Sequence, residues 1–364
     1  MTSTDRVAVI GTGLIGTSIA LAAARLGQQV RGFDADRRVL AVAAERSGLH
    51  PTSDAAECAR GATLVFLCTP VETIPAVASE VLGAEPEATV TDVASVKSRI
   101  MVEVEAAVRP ADLPRFVGGH PMGGSERSGP RWAAAGVLDG IVWVLTPTER
   151  SSSEAQERLS AWIARVGGKP MIMDPARHDR LVAAVSHLPQ VASTALMGLA
   201  AAEEAGEPDI LLLAAGGFRD LTRLAASNPQ LWSQILLANR EAVAEAIHLY
   251  VKRLSAMRDL VLLGSQREIE ATFDEAKAAR LALGAKATVR TGVAVLQVPV
   301  PDRPGALADL TSALGAAQVN IEDLQIVHSP EGGRGTVHLT VGRTQVEAAV
   351  GALGGHGFEP RRLA

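Results

Sequence analysis

The sequence predicts an α/β chain in three parts: a doubly wound sheet over residues 1–172, an all-helical stretch over 173–285 and a small α+β part over 291–364. Three observations predict it. From Arg6 to about Leu145 short apolar runs alternate with helical stretches, as in a parallel sheet wrapped by helices. From about Asp174 to Leu283 strand signals vanish, and Ala, Leu, Glu and Arg recur at helical spacing. After Gly284 a strand pattern returns. A length of 364 residues also exceeds one ordinary domain.

Val7 to Ile10, Gln29 to Phe33, Thr63 to Leu67, Thr89 to Asp92 and Ile141 to Leu145 read as the strands of the first part. Gly11-Thr12-Gly13-Leu14-Ile15-Gly16 stands between the first strand and a helix from Leu14 to Leu26. In that context a G-x-G-x-x-G loop is a dinucleotide fingerprint. Gly11 and Gly13 permit a tight turn and close approach of a pyrophosphate to backbone N–H groups, and Gly16 lets helix and strand pack closely. The first part is therefore expected to be a Rossmann-type domain. Asp34 ends the second strand, 18 residues beyond Gly16, placed to accept from ribose hydroxyls. Its charge repels a 2′-phosphate and favours NAD, while Arg37 and Arg38 keep NADP as the alternative. Thr69 and Pro70 close the third strand and are expected to line the same cleft.

In the middle part, breaks fall at Gly216-Gly217 and Asn228-Pro229. Leu181 to Ala202 carries no Asp, Glu, Lys or Arg and is long enough to span a membrane. Its His187, Pro189, Gln190 and hydroxyl residues argue instead for a helix buried on most sides, in a bundle or a homodimer interface. In the third part Val293 to Val300 reads as a strand and a helix opens after Pro304-Gly305, with 285–291 as the linker.

Composition narrows the partners. A hydrophobic share of 47% with 21% charged residues describes an ordinary globular chain, and 3% aromatics predicts an aliphatic core. A net charge of −5 without a basic block gives no general attraction to nucleic acid or anionic lipid, so small molecules are the expected ligands. Cys58 and Cys68 suggest neither a disulfide framework nor a metal site, and the N-terminus leaves no room for a signal peptide; a cytoplasmic location is expected.

Polar residues set into apolar surroundings mark the chemistry. They are Asp92-Val93-Ala94-Ser95-Val96-Lys97, Gly118-Gly119-His120-Pro121-Met122-Gly123-Gly124-Ser125-Glu126, His178-Asp179, Ser186-His187-Leu188-Pro189-Gln190 and Phe218-Arg219-Asp220-Leu221-Thr222-Arg223. In this order, behind the glycine loop, they resemble the prephenate/arogenate dehydrogenase family of tyrosine biosynthesis over nearly the whole chain. Pro301-Asp302-Arg303-Pro304-Gly305-Ala306-Leu307 and Val319-Asn320-Ile321 resemble an ACT domain, a small amino-acid-sensing module.

The resemblance implies oxidation of a cyclohexadienol with NAD and loss of the ring carboxylate as CO2. It implies His120 as acceptor of the 4-hydroxyl proton and Ser95 as its hydrogen-bonding companion. Arg223 would hold a substrate carboxylate, oriented by Asp220; His187 would touch the substrate, and Glu126 and Trp232 would line or gate the pocket. Tyrosine would bind at Asp302, Gly305, Ala306, Leu307 and Asn320 and inhibit. The family often reads S-H-L-P-H where this chain has Gln190, which leaves prephenate and arogenate both open as substrates. A 6-phosphogluconate- or hydroxyacid-type dehydrogenase would share the glycine loop but not G-G-H-P-M or F-R-D-L-T-R. An amino-acid sensor without activity would not need His120, Ser95 and Arg223 together.

Overall fold

The structure, a computed structural model, describes residues 5–363 except 124–128, 205, 208, 292, 302 and 328–333; for 283–291, 327 and 334 only the backbone is described. Glu126 and Asp302 thus lie outside the described residues. The chain divides into two compact units, Met1–Arg253 and Leu254–Ala364.

The first unit begins with β1 (Arg6–Ile10), α1 (Leu14–Arg25), β2 (Gln29–Phe33), α2 (Arg37–Ser47), β3 (His50–Pro51), α3 (Ala55–Ala59), β4 (Leu64–Leu67), α4 (Ile74–Ala84), β5 (Thr89–Asp92) and α5 (Ser98–Ala107). It continues through β6 (Phe116–Pro121), β7 (Val142–Thr146), α6 (Ser153–Arg165) and β8 (Lys169–Ile172). The eight strands form one sheet in the order β3-β2-β1-β4-β5-β6-β7-β8. Strands β1 to β6 run parallel, while β7 pairs antiparallel with β6. Between β6 and β7 the described residues supply only short 3-10 turns, Pro130–Trp132 and Ala135–Leu138. Without a crossover helix the chain cannot return to start a parallel strand, so β7 comes back the other way.

Successive residues of the central strands alternate between two buried layers. Ala8, Ile10, Val65 and Leu67 face one, and Val7, Val9, Leu64 and Phe66 the other. Burial on both faces is why these strands read as unbroken apolar runs. The core is less purely aliphatic than expected: Phe66 packs tilted against Trp162 with ring centroids 4.6 Å apart, and Trp143 packs edge-on against Trp162.

The helical region contains α7 (Pro175–Val182), a π turn (Ala183–His187), α8 (Leu188–Glu203), α9 (Gly216–Thr222), a 3-10 turn (Arg223–Ala226), α10 (Pro229–Ala238), α11 (Arg240–Leu263) and α12 (Gln266–Thr291). Asn228 caps α10 through its side chain, with Pro229 at the first helical position. Pro189 explains the π turn: its ring cannot donate to the carbonyl four residues back and crowds it, so the helix widens there. Taken within one chain, the helix is not buried on most sides as expected, since Val185 is 69% and Leu199 61% exposed. The stretch 285–291, expected as a linker, continues α12.

In the second unit β9 (Val293–Pro301), α13 (Ala306–Ala316), β10 (Ile321–Val327), β11 (Arg334–Gly342), α14 (Val346–Gly355) and β12 (Arg361–Arg362) form an antiparallel sheet ordered β10-β11-β9-β12. Leu310, Leu314, Ala349 and Leu353 of the two helices share its core with Leu296, Val298 and Leu339.

Candidate active site

At the end of β1 the glycines separate into two kinds. Gly11 sits at φ +90°, and a Cβ there would lie 2.4 Å from the Cys68 carbonyl oxygen. One on Gly16 would lie 2.0 Å from the Gly11 carbonyl oxygen. These two are closed by the fold. A Cβ on Gly13 would meet nothing within 4 Å, and Gly13 starts α1 without a side-chain cap. The open side of Gly13 and the first N–H groups of α1 at Leu14 and Ile15 therefore form a cradle of positive potential suited to a pyrophosphate.

Asp34 is tied into this loop: its Oδ2 accepts from the Thr12 backbone N–H at 2.7 Å and hydroxyl at 3.1 Å, and its Oδ1 from Asp36 N–H at 3.0 Å. The carboxylate is thereby fixed at the tip of β2, with lone pairs left for ribose hydroxyls. Because Gly11 packs on Cys68, the turn carrying Thr69 and Pro70 lies against the glycine loop. The Thr69 hydroxyl is buried and has no partner among the described residues, as befits a group lining a ligand cleft. A cavity of about 780 Å³ at the opposite ends of β1 and β2, lined by Arg6, Arg31, His50 and Arg60, takes no part in this site.

The second constellation lies at the adjoining strand ends. Lys97, fully buried, donates to Asp92 Oδ2 and to the Gly119 carbonyl at 2.8 Å, and Asp92 Oδ1 accepts from Gly119 N–H at 3.1 Å. This ion pair pins β6 beside β5 and so sets His120, the residue after Gly119. Gly118 and Gly119 are required there: a Cβ on either would come within 2.7 Å of Thr146 Oγ1 or of the Asp92 carbonyl oxygen.

His120 Nδ1 lies 2.9 Å from His178 Nε2, and His178 Nδ1 lies 2.8 Å from Asp179 Oδ1. Asp179 also accepts from Lys97 N–H and Ser98 N–H, each at 2.8 Å, and these bonds together with His178 hold its carboxyl below the usual range despite burial. A carboxylate only accepts, so His178 Nδ1 donates to it. In the tautomer so selected, His178 Nε2 accepts from His120 Nδ1–H, which leaves the lone pair of His120 on Nε2. Burial first, and then His178, Lys97 and His187, push the His120 pKa well below its ordinary value. The ring is neutral and able to take a proton at neutral pH.

His187, 1% exposed, ends the π turn, and its Nδ1 lies 3.3 Å from Asn239 Nδ2, which also donates to the Asp179 carbonyl at 2.8 Å. An amide nitrogen only donates, so Nδ1 accepts and Nε2 carries the hydrogen; that buried Nε2 has no partner among the described residues. Burial lowers the His187 pKa to about 4, keeping it a neutral donor. Trp232 is half-buried, meets His187 edge to face at 6.0 Å and packs on the sheet's apolar layer.

Ser95 is half-buried in the turn between β5 and α5. Asp220 on α9 and Arg223 at the following 3-10 turn are exposed, and the ion pairs among the described residues do not include one between them. Gln190 is buried, its Nε2 donating to the Leu224 carbonyl at 2.8 Å. His178, Asp179, Lys97 and Asn239 are the members that sequence reasoning gave no role. The H-D and D-V-A-S-V-K runs were signals for the first three, whereas Asn239 has none. In the second unit Gly305 takes φ +86° ahead of α13, Ala306 is buried, Leu307 is exposed, and Asn320 Nδ2 donates to Glu322 at 3.0 Å.

A glycine cradle with a carboxylate at the end of β2, on the same sheet edge as a half-buried neutral histidine, defines a dinucleotide-dependent dehydrogenase. Residues 19–172 match the prephenate dehydrogenase nucleotide-binding domain, 174–275 the prephenate dehydrogenase dimerization domain and 294–355 the ACT domain. The chain is 31% identical over 346 residues to prephenate dehydrogenase of Bacillus subtilis, covering 92% of each. It superposes on Aquifex aeolicus prephenate dehydrogenase in complex with hydroxyphenyl propionate and NAD+ (TM-score 0.72, 30% identity, 77% of this chain and 99% of that one). Synechocystis arogenate dehydrogenase is similar too (TM-score 0.65, 31% identity, 76% of this chain and 98% of that one). The chain belongs to the prephenate dehydrogenase family, NAD-dependent oxidoreductases, and carries an ACT domain.

Proposed function

We propose that this chain converts prephenate to 4-hydroxyphenylpyruvate and CO2. The observation that carries the proposal is the Asp179–His178–His120 chain, which leaves the lone pair of the His120 imidazole on Nε2, at the same edge of the sheet as the cofactor cradle. NAD, when bound, supplies the hydride acceptor; Gly11, Thr12, Gly13, Leu14, Ile15, Gly16, Asp34, Thr69 and Pro70 would hold it. His120 Nε2 takes the 4-hydroxyl proton while the hydride leaves C4 and the ring carboxylate departs as CO2, its bonding electrons completing the aromatic ring. Ser95 steadies the hydroxyl. Arg223 holds a substrate carboxylate with Asp220 nearby, and Trp232 borders the pocket.

His187 favours prephenate over arogenate. In contact with the substrate side chain, its Nε2–H suits the acceptor oxygens of a pyruvyl group and leaves an ammonium without an acceptor. Side-by-side assays of prephenate and arogenate, each with NAD and NADP, test this reading. Turnover of prephenate with NAD is expected to be fastest, and a clear preference for arogenate would reverse it.

The proposal includes the division at 1–172, 173–285 and 291–364, a cytoplasmic homodimer through the helical region, and inhibition by tyrosine at Gly305, Ala306, Leu307 and Asn320 with Asp302. The exposed apolar side chains of Val185 and Leu199 support the dimer. Sedimentation as a monomer would contradict it, and a chain ending at residue 290 should keep activity but lose any tyrosine inhibition.

A further inference from the structure

Within one chain the segment bearing Asp220 and Arg223 buries little of itself. Neither α9 nor the 3-10 turn Arg223–Ala226 contains a buried residue, and Leu212, Leu213 and Leu221 around them are exposed. A guanidinium on such a segment binds a carboxylate well only if its backbone is fixed from outside. Gln190 supplies that fixation. It is 5% exposed on α8, three residues beyond His187, and its side-chain amide grips the turn at two points. Nε2 donates to the Leu224 carbonyl at 2.8 Å, next to Arg223, and Oε1 accepts from the Ser227 hydroxyl at 3.3 Å, at the far end of the turn. Gln190 is itself braced, since its backbone carbonyl accepts from Thr194 Oγ1 at 2.9 Å.

We infer that Gln190 is a positioning residue: it clamps the Arg223–Ser227 turn to α8 and thereby sets the affinity of Arg223 for a substrate carboxylate. The inference rests on the proposed role of Arg223. It makes Gln190 act through the turn and without contact to the reacting atoms, so its loss should appear in substrate affinity and leave the chemical step intact.

The test is a double-mutant cycle on the full-length chain, with initial rates measured at saturating NAD and varied prephenate. Gln190→Met keeps the volume and removes donor and acceptor; it should raise KM about tenfold with kcat changed less than about twofold. Arg223→Ala should raise KM more, and adding Gln190→Met to it should change little further, because the group being positioned is gone. An unchanged KM in Gln190→Met, or effects that multiply in the double variant, would overturn the inference. A wild-type KM in Arg223→Ala would instead overturn the carboxylate role of Arg223, and the inference with it. Should Gln190→Met fail to fold, two milder variants decide. Ser227→Ala should raise KM about two- to threefold, and Gln190→His, which retains one N–H donor, should fall between wild type and the loss of both contacts; wild-type KM in Ser227→Ala would count against the clamp.

Discussion

The two halves of the site are built in opposite ways. Behind His120 the buried carboxylates are tied on several sides: Asp92 to Lys97 and Gly119, Asp179 to His178 and two backbone N–H groups. In α9 and the Arg223–Ala226 turn no residue is buried within one chain, and the Gln190 amide of α8 bonds to that turn. Under the proposed roles, preorganisation is concentrated where the proton would be taken, whereas the carboxylate would be held from a segment with little burial of its own. The difference teaches that rate and affinity should be separable by mutation.

The largest effect is expected in the tied half. His120→Asn should lower kcat by about 10³-fold while NAD affinity, measured by titration, stays as in wild type; turnover within tenfold of wild type would remove His120 from its role. Asp179→Asn should come next, with kcat reduced about 10²-fold, because the amide no longer selects the His178 tautomer that accepts from His120. It should also melt earlier, since Lys97 N–H and Ser98 N–H lose a charged acceptor. In the exposed half Arg223→Lys should raise KM about tenfold without moving kcat or the melting temperature. A fall in kcat to match would mean that the two halves act as one.

The smallest effect is on stability. Between pH 6.5 and about 4 the unfolded chain carries a proton on His187 that the folded chain refuses. Stability therefore rises with pH across that window, by up to about 1.4 kcal/mol per pH unit, and is lost on acidification. Thermal melts over this range should be less pH-dependent in His187→Gln than in wild type; identical slopes would contradict the buried neutral assignment.

The cofactor half was legible because its signals are local: five residues of strand, six of loop and a helix determine the cradle, and Asp34 lies where β2 must end. The proton chain was only half legible. His120 stood out between glycines, but its partner His178 is 58 residues away, and no spacing rule brings them together. The segment Phe116–Pro121 escaped recognition as a strand because Gly118, Gly119 and Pro121 are poor strand formers. The fold overrides that preference, since only glycine admits β7 and the Asp92 backbone so closely. The antiparallel turn of β7 was hidden as well, because Val142–Thr146 has the same apolar pattern in either direction.

The π turn at Ala183–His187 works as a phase shifter for the helix. Eleven residues make close to three turns of an α-helix, so in an unbroken one residue 189 would stand over His178. The π turn takes up about one additional residue, and the position over His178 passes to Gln190. Deleting a single residue from 183–186 would therefore rotate everything after it by about 100°, turning His187 out of its place and carrying the clamp away from the Arg223 turn. The spacing between the histidine pair and the clamp is thus stored in the count of the helix.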